Sequence, residues 1–152
     1  MRGPRLSVKA IIVRNGSVLL VEGHDTEGSW FALPGGGQQR GERLDEAVRR
    51  ECREEVGAEV RVGALRWVRD YIGSSHEFAS EHPDVHQVEL WFECSLVGDY
   101  EPALGTHPDD GQLGVRWAHM TELRELRIYP KILKQLLGFG FSARPTYLGD
   151  VN

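Results

Sequence analysis

Three consecutive glycines at residues 35–37 separate a strand-like segment from a helix-like segment, and this order constrains the fold more than any other part of the sequence. Residues 30–33 are apolar and aromatic, which favours a short strand. In residues 43–56 apolar side chains recur every four positions, as on one helical face; they are Leu44, Val48 and Cys52. Gly57 then provides a helix stop. The sequence therefore predicts a strand, a glycine loop and an amphipathic helix in succession.

Most of the other segments are strand-like. Runs of β-branched and apolar residues predict strands at residues 7–13, 17–21, 85–97 and 115–117 and one or two strands at 60–71, with loops at 73–84 and 98–114. Asn15 and Gly16 can supply the positive φ angles of a tight hairpin turn. Helical patterns cover residues 120–126 and 129–137. Because strands outnumber helices and hairpins mix with crossovers, the sequence predicts an α+β fold with a mixed sheet.

The size and charge of the chain limit its partners. Its 152 residues suit a single domain over residues 1–152. The formal net charge of −5 disfavours binding to a nucleic-acid polymer, whose phosphates attract basic proteins. A small phosphorylated ligand is compatible with this charge, because a divalent metal ion can bridge carboxylates to phosphate.

The apolar segments and the cysteines indicate the compartment. No apolar run approaches the ~18–20 residues of a membrane span, so no contact with a membrane is predicted. Charges are scattered through residues 1–14, which argues against a signal peptide. Cys52 and Cys94 fall in a predicted helix and a predicted strand, where buried free thiols are expected. We therefore predict a cytoplasmic protein.

Three carboxylates on the predicted helix are candidates for a metal site. Glu51, Glu54 and Glu55 are spaced i, i+3 and i+4, so they project from one helical face. Like charges at this spacing repel, and an oxygen-preferring cation such as Mg²⁺ would turn the repulsion into coordination. A simpler interpretation is a solvated face with local ion pairs, because residues 42–56 hold six acids and four arginines. The charges alone favour the simpler interpretation.

The wider motif favours the metal site. It reads Gly36, five residues, Glu42, seven residues, then Arg50-Glu51-Cys52-x-Glu54-Glu55-x-Gly57-Ala58. This motif over residues 36–58 resembles the Nudix box of the Nudix hydrolase superfamily, and all seven fixed positions of the box are filled. Residues 30–36 resemble the family's entry into the box, residues 88–92 its later central strand and residues 114–117 its closing strand. The layout is similar to MutT-like and ADP-ribose pyrophosphatase-like members.

The resemblance implies a fold and an activity. The family's fold is an α/β/α sandwich with a central mixed β-sheet. Its members hydrolyse the diphosphate linkage of a nucleoside diphosphate joined to another moiety, such as a nucleotide, a nucleotide sugar or a dinucleotide. Mg²⁺, or alternatively Mn²⁺, is bound during the reaction. The substrate motifs known around the box do not select one nucleotide here.

By the same resemblance, the residues of the box have separate roles. The implied metal ligands are the carbonyl of Gly35 and the side chains of Glu51, Glu54 and Glu55. Arg50 and Glu42 are expected to pair and to hold the helix and the glycine loop in register. Arg50, Glu51 and Glu54 are also expected to take part in catalysis, with Glu51 as one candidate for the general base.

A later loop offers a second candidate for the base. Asp109 and Asp110 stand just before the closing strand, and adjacent residues on an extended backbone point in opposite directions. We choose Asp110, because Gly111 after it permits a sharp bend. The alternative is that both aspartates are solvated turn residues.

Two other functions compete with hydrolysis. A nucleotide-sensing module on the same fold would be expected to carry a degenerate box, whereas the box is complete. An isomerase would need an active-site cysteine, but Cys52 faces away from the glutamates and Cys94 is expected in the core.

Aromatic residues outside the box are expected to serve packing. Trp30 could stack on a base, but a tryptophan at this place is more often part of the core. The tail, residues 139–152, contains Phe139, Phe141 and Tyr147. It is expected to pack on the same domain or on the mate in a homodimer.

Overall fold

A mixed β-sheet lies at the centre of the computed structural model, which describes residues 3–138 and 144–152. Nine strands are present in these ranges: β1 (Arg5–Arg14), β2 (Ser17–Asp25), β3 (Gly28–Ala32), β4 (Gly35–Gly37), β5 (Val60–Ile72), β6 (His86–Leu96), β7 (Gln112–His119), β8 (Ile128–Tyr129) and β9 (Tyr147–Asp150). The helices are α1 (Leu44–Val56) and α2 (Ile132–Gly138), with 3₁₀ turns at Gly73–Ser75 and Met120–Glu125. None of the helices in the described ranges is long and apolar enough to cross a membrane.

The strand order combines parallel and antiparallel neighbours. Along the sheet the order is β8-β3-β2-β1-β6-β5-β9, while β4 pairs with β1 and β7 pairs with β2. The pairs β1–β6, β3–β8 and β5–β9 are parallel. Asn15 and Gly16, at φ of 51° and 75°, connect β1 to β2 and confirm the predicted hairpin turn. The α+β class with a mixed sheet is confirmed.

Two hydrophobic cores cover the two faces of the sheet. Neighbouring side chains of a strand point to opposite faces, so Val18 and Leu20 of β2 belong to one core and Leu19 and Val21 to the other. The first core contains Leu133, Leu136 and Leu137 of α2, and the second contains Ala47, Val48, Cys52 and Val56 of α1. The sheet is therefore enclosed between α1 and α2, as expected for an α/β/α sandwich.

The glycine segment forms a strand rather than the predicted loop. Gly35 of β4 lies opposite Lys9 of β1 in antiparallel register. A Cβ atom at Gly35 would collide with the carbonyl oxygen of Val8, so this approach requires glycine. Glycine is depleted in strands, which is why the sequence pattern did not indicate β4. The pairing fixes the segment ahead of α1 to the sheet.

Because of pairing with distant strands, other elements begin or end at residues that differ from the predicted ones. β7 begins at Gln112, ahead of the predicted residue 115, because its pairing with β2 extends to Gly23. Residues 128–129 form β8 against β3, so α2 starts at Ile132 instead of residue 129. The segment predicted as helical over residues 120–126 is a 3₁₀ turn.

The C-terminal residues that the structure describes add a strand to the edge of the sheet. β9 pairs in parallel with β5, and the amide of Val68 donates to the carbonyl of Thr146 at 2.8 Å. Tyr147 is 57% exposed. The expectation for Phe139 and Phe141 falls outside the described residues, and packing of the tail on a dimer mate stays a prediction.

Candidate active site

Helix α1 presents its glutamates to the glycine strand because its apolar face is used by the core. The buried apolar residues of the helix are Ala47, Val48, Cys52 and Val56. Gly57, at φ of 64°, ends the helix with a left-handed residue. The neighbouring side of the helix contacts β4. This side carries Glu51 and Glu55.

Two of the three glutamates are buried against β4. Glu55 is 2% exposed and accepts a hydrogen bond from the amide of Gly35 at 3.3 Å. Glu51 is 7% exposed, and a Cβ atom at Gly36 would lie 2.6 Å from its Oε1 atom. The contact at Gly36 needs glycine, because a side chain there would fill the space that the carboxylate of Glu51 occupies. The contact of Gly35 uses its amide, whereas the role implied by the resemblance uses its carbonyl.

Arg50 joins the helix to the glycine strand. Its guanidinium contacts the two carboxylate oxygens of Glu42 at 2.8 and 3.1 Å and donates to the carbonyl of Gly37 at 2.9 Å. It also reaches Glu51 at 2.8 Å and Glu54 at 3.1 Å. The hydrogen bond from Arg50 lowers the pKa of Glu42 below its usual range. The expected pair between Arg50 and Glu42 is present.

The glutamates do not converge as a ready-made metal site. Within residues 3–138 and 144–152, no three His, Cys, Asp or Glu side chains are grouped closely enough to hold a metal ion. The guanidinium of Arg50 bonds both Glu51 and Glu54 and supplies their counter-charge. The donor set still fits a divalent cation, because it consists of carboxylate oxygens, which such ions prefer.

Glu55 is a buried carboxyl in a negative environment. Burial raises its pKa to about 8, and the charges of Asp109 and Glu51 act in the same direction. The charge of Lys9 and the hydrogen bond from Gly35 oppose this rise. A nearby cation would stabilise the ionised form of such a buried acid, as a bound metal ion does for its carboxylate ligands.

The loop between β6 and β7 docks on the C-terminal end of α1. The amide of Gly105 donates to the carbonyl of Glu55 at 3.1 Å, and the amide of His107 donates to the carbonyl of Glu54 at 2.9 Å. The side chain of Gln112 donates to the carbonyl of Glu55 at 2.9 Å. These bonds satisfy carbonyls that a helix end leaves without partners, and they anchor the loop beside the glutamates.

Asp109 is a loop aspartate whose charge acts on Glu55, and the choice of Asp110 as the catalytic acid stays a prediction. The charge of Asp109 raises the pKa of Glu55. Its amide donates to the side-chain oxygen of Gln112 at 3.2 Å, which fixes the residue next to the helix end. Asp109 and Asp110 are both exposed, and Gly111 follows them at φ of 81°. The bend at Gly111 is present, but the electrostatic contact with the glutamates comes from Asp109.

Lys9 belongs to the site although no sequence pattern singled it out. It lies opposite Gly35, and its Cδ atom would be 2.8 Å from a Cβ added to that glycine. Its charge lowers the pKa of Glu55. A lysine in a strand carries no signal of its own, and only the pairing of β4 with β1 brings it to the glutamates.

The two cysteines are buried free thiols, as predicted. Burial raises the pKa of Cys52 well above its usual range and raises that of Cys94 to about 12. Both therefore stay protonated at neutral pH, so neither is a thiolate nucleophile.

We expect Glu55→Gln to reduce the pH sensitivity of the metal-free protein. The folded state keeps the proton on Glu55 up to about pH 8, whereas the unfolded chain loses it near 4.5. The free energy of unfolding of the wild type therefore falls between these pH values, and the substitution removes this fall. Thermal unfolding in EDTA at about pH 5 and about pH 8.5 should show the Tm of the variant gaining on that of the wild type. Parallel pH curves would contradict the assignment.

Buried carboxylates beside a glycine strand, one bonded to Arg50 and the other to the amide of Gly35, define a class of protein with an acidic site between a helix and a strand. The sequence profile of the NUDIX domain matches residues 3–137. The chain belongs to the Nudix family, and it is a Nudix-type hydrolase acting on phosphorus anhydrides.

Known relatives agree with this family. The chain is 35% identical to the nucleoside triphosphatase NudI of Enterobacter sp. (strain 638) over 95 residues, which cover 59% of this chain and 67% of that protein. A NUDIX hydrolase structure from Nitrosomonas europaea matches with a TM-score of 0.74 at 22% identity and covers 100% of this chain and 80% of that chain. An ADP-ribose pyrophosphatase from Streptococcus suis matches with a TM-score of 0.62 at 18% identity, covering 99% and 100%. The two structures share the fold.

Proposed function

We propose that this protein hydrolyses the diphosphate linkage of a nucleoside diphosphate joined to another moiety, with a divalent metal ion bound. The observation that carries the proposal is the burial of Glu51 and Glu55 against the glycine strand. Buried acids of this kind are stabilised by a divalent cation, and the same cation can bind a diphosphate. Similarity to a nucleoside triphosphatase supports a nucleotide as the substrate.

Some residues of the site would bind the metal ion, and others hold the helix and the glycine strand in place. Glu51, Glu54 and Glu55, with the carbonyl of Gly35, would hold Mg²⁺ or Mn²⁺. When bound, such an ion neutralises phosphate oxygens and lowers the pKa of a water molecule. Arg50 keeps the helix and the glycine strand in register through its bonds to Glu42 and to the backbone. The proton of the attacking water passes to Glu51 or to an aspartate of the β6–β7 loop.

A panel of nucleotides with Mg²⁺ tests the proposal. Nucleoside triphosphates, nucleotide sugars and dinucleotides are each incubated with the protein, and release of phosphate, pyrophosphate or nucleoside monophosphate is measured. We expect turnover of at least one of these classes. Binding of nucleotides without turnover of any would contradict hydrolysis and would identify a nucleotide-sensing module instead.

The two aspartates of the β6–β7 loop should separate kinetically. We expect Asp109→Asn to lower kcat/KM at least about tenfold, or ~1.4 kcal/mol, because the charge of Asp109 reaches Glu55 and its carboxylate is therefore close enough to the site to accept the proton of the attacking water. Asp110→Asn is the matched control and should lower kcat/KM less, with the nucleotide that the panel identifies as the substrate of both assays. The reverse order would support the role inferred for Asp110 from the sequence. If neither substitution changes the kinetics, the base is Glu51.

A further inference from the structure

A cleft opens between β3 and β5 and has no role in the chemistry described above. Its volume is about 580 Å³. Four aromatic side chains line it: Trp30, Tyr71, Phe78 and Tyr129. Aromatic side chains that line a solvent-accessible cleft can stack face to face on a planar ring of a ligand.

The cleft lies next to the glutamates. Ala32, which lines it, is three residues before Gly35, so their Cα atoms are at most ~11 Å apart. A second connection runs through β2, where Gly23 pairs with Trp30 on one side and with Gln112 on the other. Gln112 in turn bonds the carbonyl of Glu55. A group joined to the reacting diphosphate by a pentose can therefore reach the cleft.

Trp30 packs against the core that contains α1, as expected from the sequence, and it also lines the cleft. Its side chain is half-buried. A Cβ atom at Gly23 would collide with the indole ring, so the glycine lets the ring lie against the backbone of β2. Because the ring also lines the cleft, a ligand bound there would contact it.

The arginines of the cleft are already neutralised. Arg69 is paired with Glu89 at 2.6 Å, with both side chains almost fully buried. Arg127 contacts the two oxygens of Asp25 at 2.7 and 2.8 Å. A phosphate would have to break these pairs, whereas an uncharged ring would leave them intact. The occupant that fits is therefore an uncharged aromatic ring.

Glu81 differs from the other charged groups of the lining. Its carboxylate accepts from the hydroxyl of Ser80 at 3.2 Å and forms no ion pair within the described residues. A carboxylate is acceptor-only, so it favours a ring edge that presents N–H donors. Guanine offers two adjacent donors on its edge, while the edge of uracil offers one donor between two carbonyl acceptors.

We propose that this cleft binds the nucleobase of the substrate, with Trp30 as the stacking surface and Glu81 as the acceptor that favours guanine over uracil. The assignment rests on the proposed function, because it names the substrate class of the same site. It also makes Trp30 and Glu81 specificity residues that lie outside the Nudix box.

Binding of unreactive ligands tests the stacking role without relying on catalysis. Titration calorimetry with guanosine 5′-monophosphate and ribose 5-phosphate should show binding at least ~10-fold tighter for the nucleotide. Trp30→Leu should weaken the binding of the nucleotide at least ~10-fold, while Trp30→Phe keeps an aromatic face and should weaken it less than ~3-fold. Thermal unfolding of both variants shows whether the fold is kept. Equal binding of the two ligands, or equal loss in both folded variants, would overturn the proposal.

The role of Glu81 is tested by the ratio of the binding affinities of two nucleotides. In the wild type, guanosine 5′-monophosphate should bind at least ~5-fold more tightly than uridine 5′-monophosphate, and Glu81→Gln should bring this ratio below ~2. Glu101→Gln is the matched control, since Glu101 is an exposed carboxylate that does not line the cleft. A ratio that is unchanged by Glu81→Gln would overturn the guanine preference.

Failure of this proposal is distinguishable from failure of the proposed function. If nucleotides are hydrolysed but Trp30→Leu leaves their KM unchanged, the cleft does not bind the base and the hydrolase assignment stands. If guanosine 5′-monophosphate binds in the Trp30-dependent way but no nucleotide is hydrolysed, the cleft assignment stands and the hydrolase assignment falls.

Discussion

We expect removal of divalent metal ions to abolish hydrolysis: in excess EDTA the rate should fall at least ~10³-fold below that with Mg²⁺. Without an ion, the buried carboxylates Glu51 and Glu55 repel a diphosphate instead of binding it through a shared cation. The activity should be greatest at mildly alkaline pH, because the carboxylates must be ionised to bind metal and a water molecule must be deprotonated. Rates for the best nucleotide of the panel, with and without chelator, measure the effect.

The control for chelation is the return of activity. Addition of excess Mg²⁺ to the EDTA-treated protein should restore the original rate, which shows that the chelator did not unfold the chain. Hydrolysis at full rate in excess chelator would refute the metal role and the proposed function with it.

Glu54→Gln should lower kcat by about 10²–10⁴ while the fold survives. Glu54 is 29% exposed at its side chain, and its ion pair with Arg50 at 3.1 Å belongs to the surface of the helix. Its carboxylate is therefore available to a metal ion, and the amide keeps the shape while it removes the charge. Steady-state kinetics across a range of Mg²⁺ concentrations would separate a loss of metal affinity from a loss of turnover.

The stability of the same variant distinguishes a ligand from a structural acid. Loss of a partly exposed ion pair costs at most ~1 kcal/mol, and the substitution also relieves repulsion from Glu51 and Glu55. The Tm of the metal-free variant should therefore stay within ~2–4 °C of the wild type. A variant that loses activity and also melts much earlier would show that Glu54 is structural. Arg53→Gln, which removes an exposed ion pair with Glu59, is the matched control on the same helix.

The elements with a strong local signal were predicted from the sequence. Helix α1, its stop at Gly57 and the hairpin at Asn15 and Gly16 follow from side-chain period and from residues that adopt positive φ. These signals act over a few neighbouring residues, so they can be read without knowledge of the rest of the chain.

Elements that depend on distant partners could not be predicted in the same way. β4 forms because three glycines pair with β1. Glycine by itself has a low propensity for strands, so the local sequence did not predict β4. The start of α2 was misplaced because residues 128–129 pair with β3. The choice of Asp110 came from the local bend at Gly111 and stays a prediction, because the loop is positioned by its bonds to the end of α1.

The sequence by itself determined the family, the order of glycines and glutamates, and the helical face on which Glu51, Glu54 and Glu55 lie, because each depends on spacing along the chain. Only the tertiary structure decided which of these glutamates are buried and that Arg50 bonds both Glu51 and Glu54. It also decided that Lys9 lies opposite Gly35 and that an aromatic cleft is lined by a residue close to the glycine strand. The physical reason is that burial, counter-charge and cavity shape are set by residues far apart in sequence, whose approach depends on strand pairing and close packing.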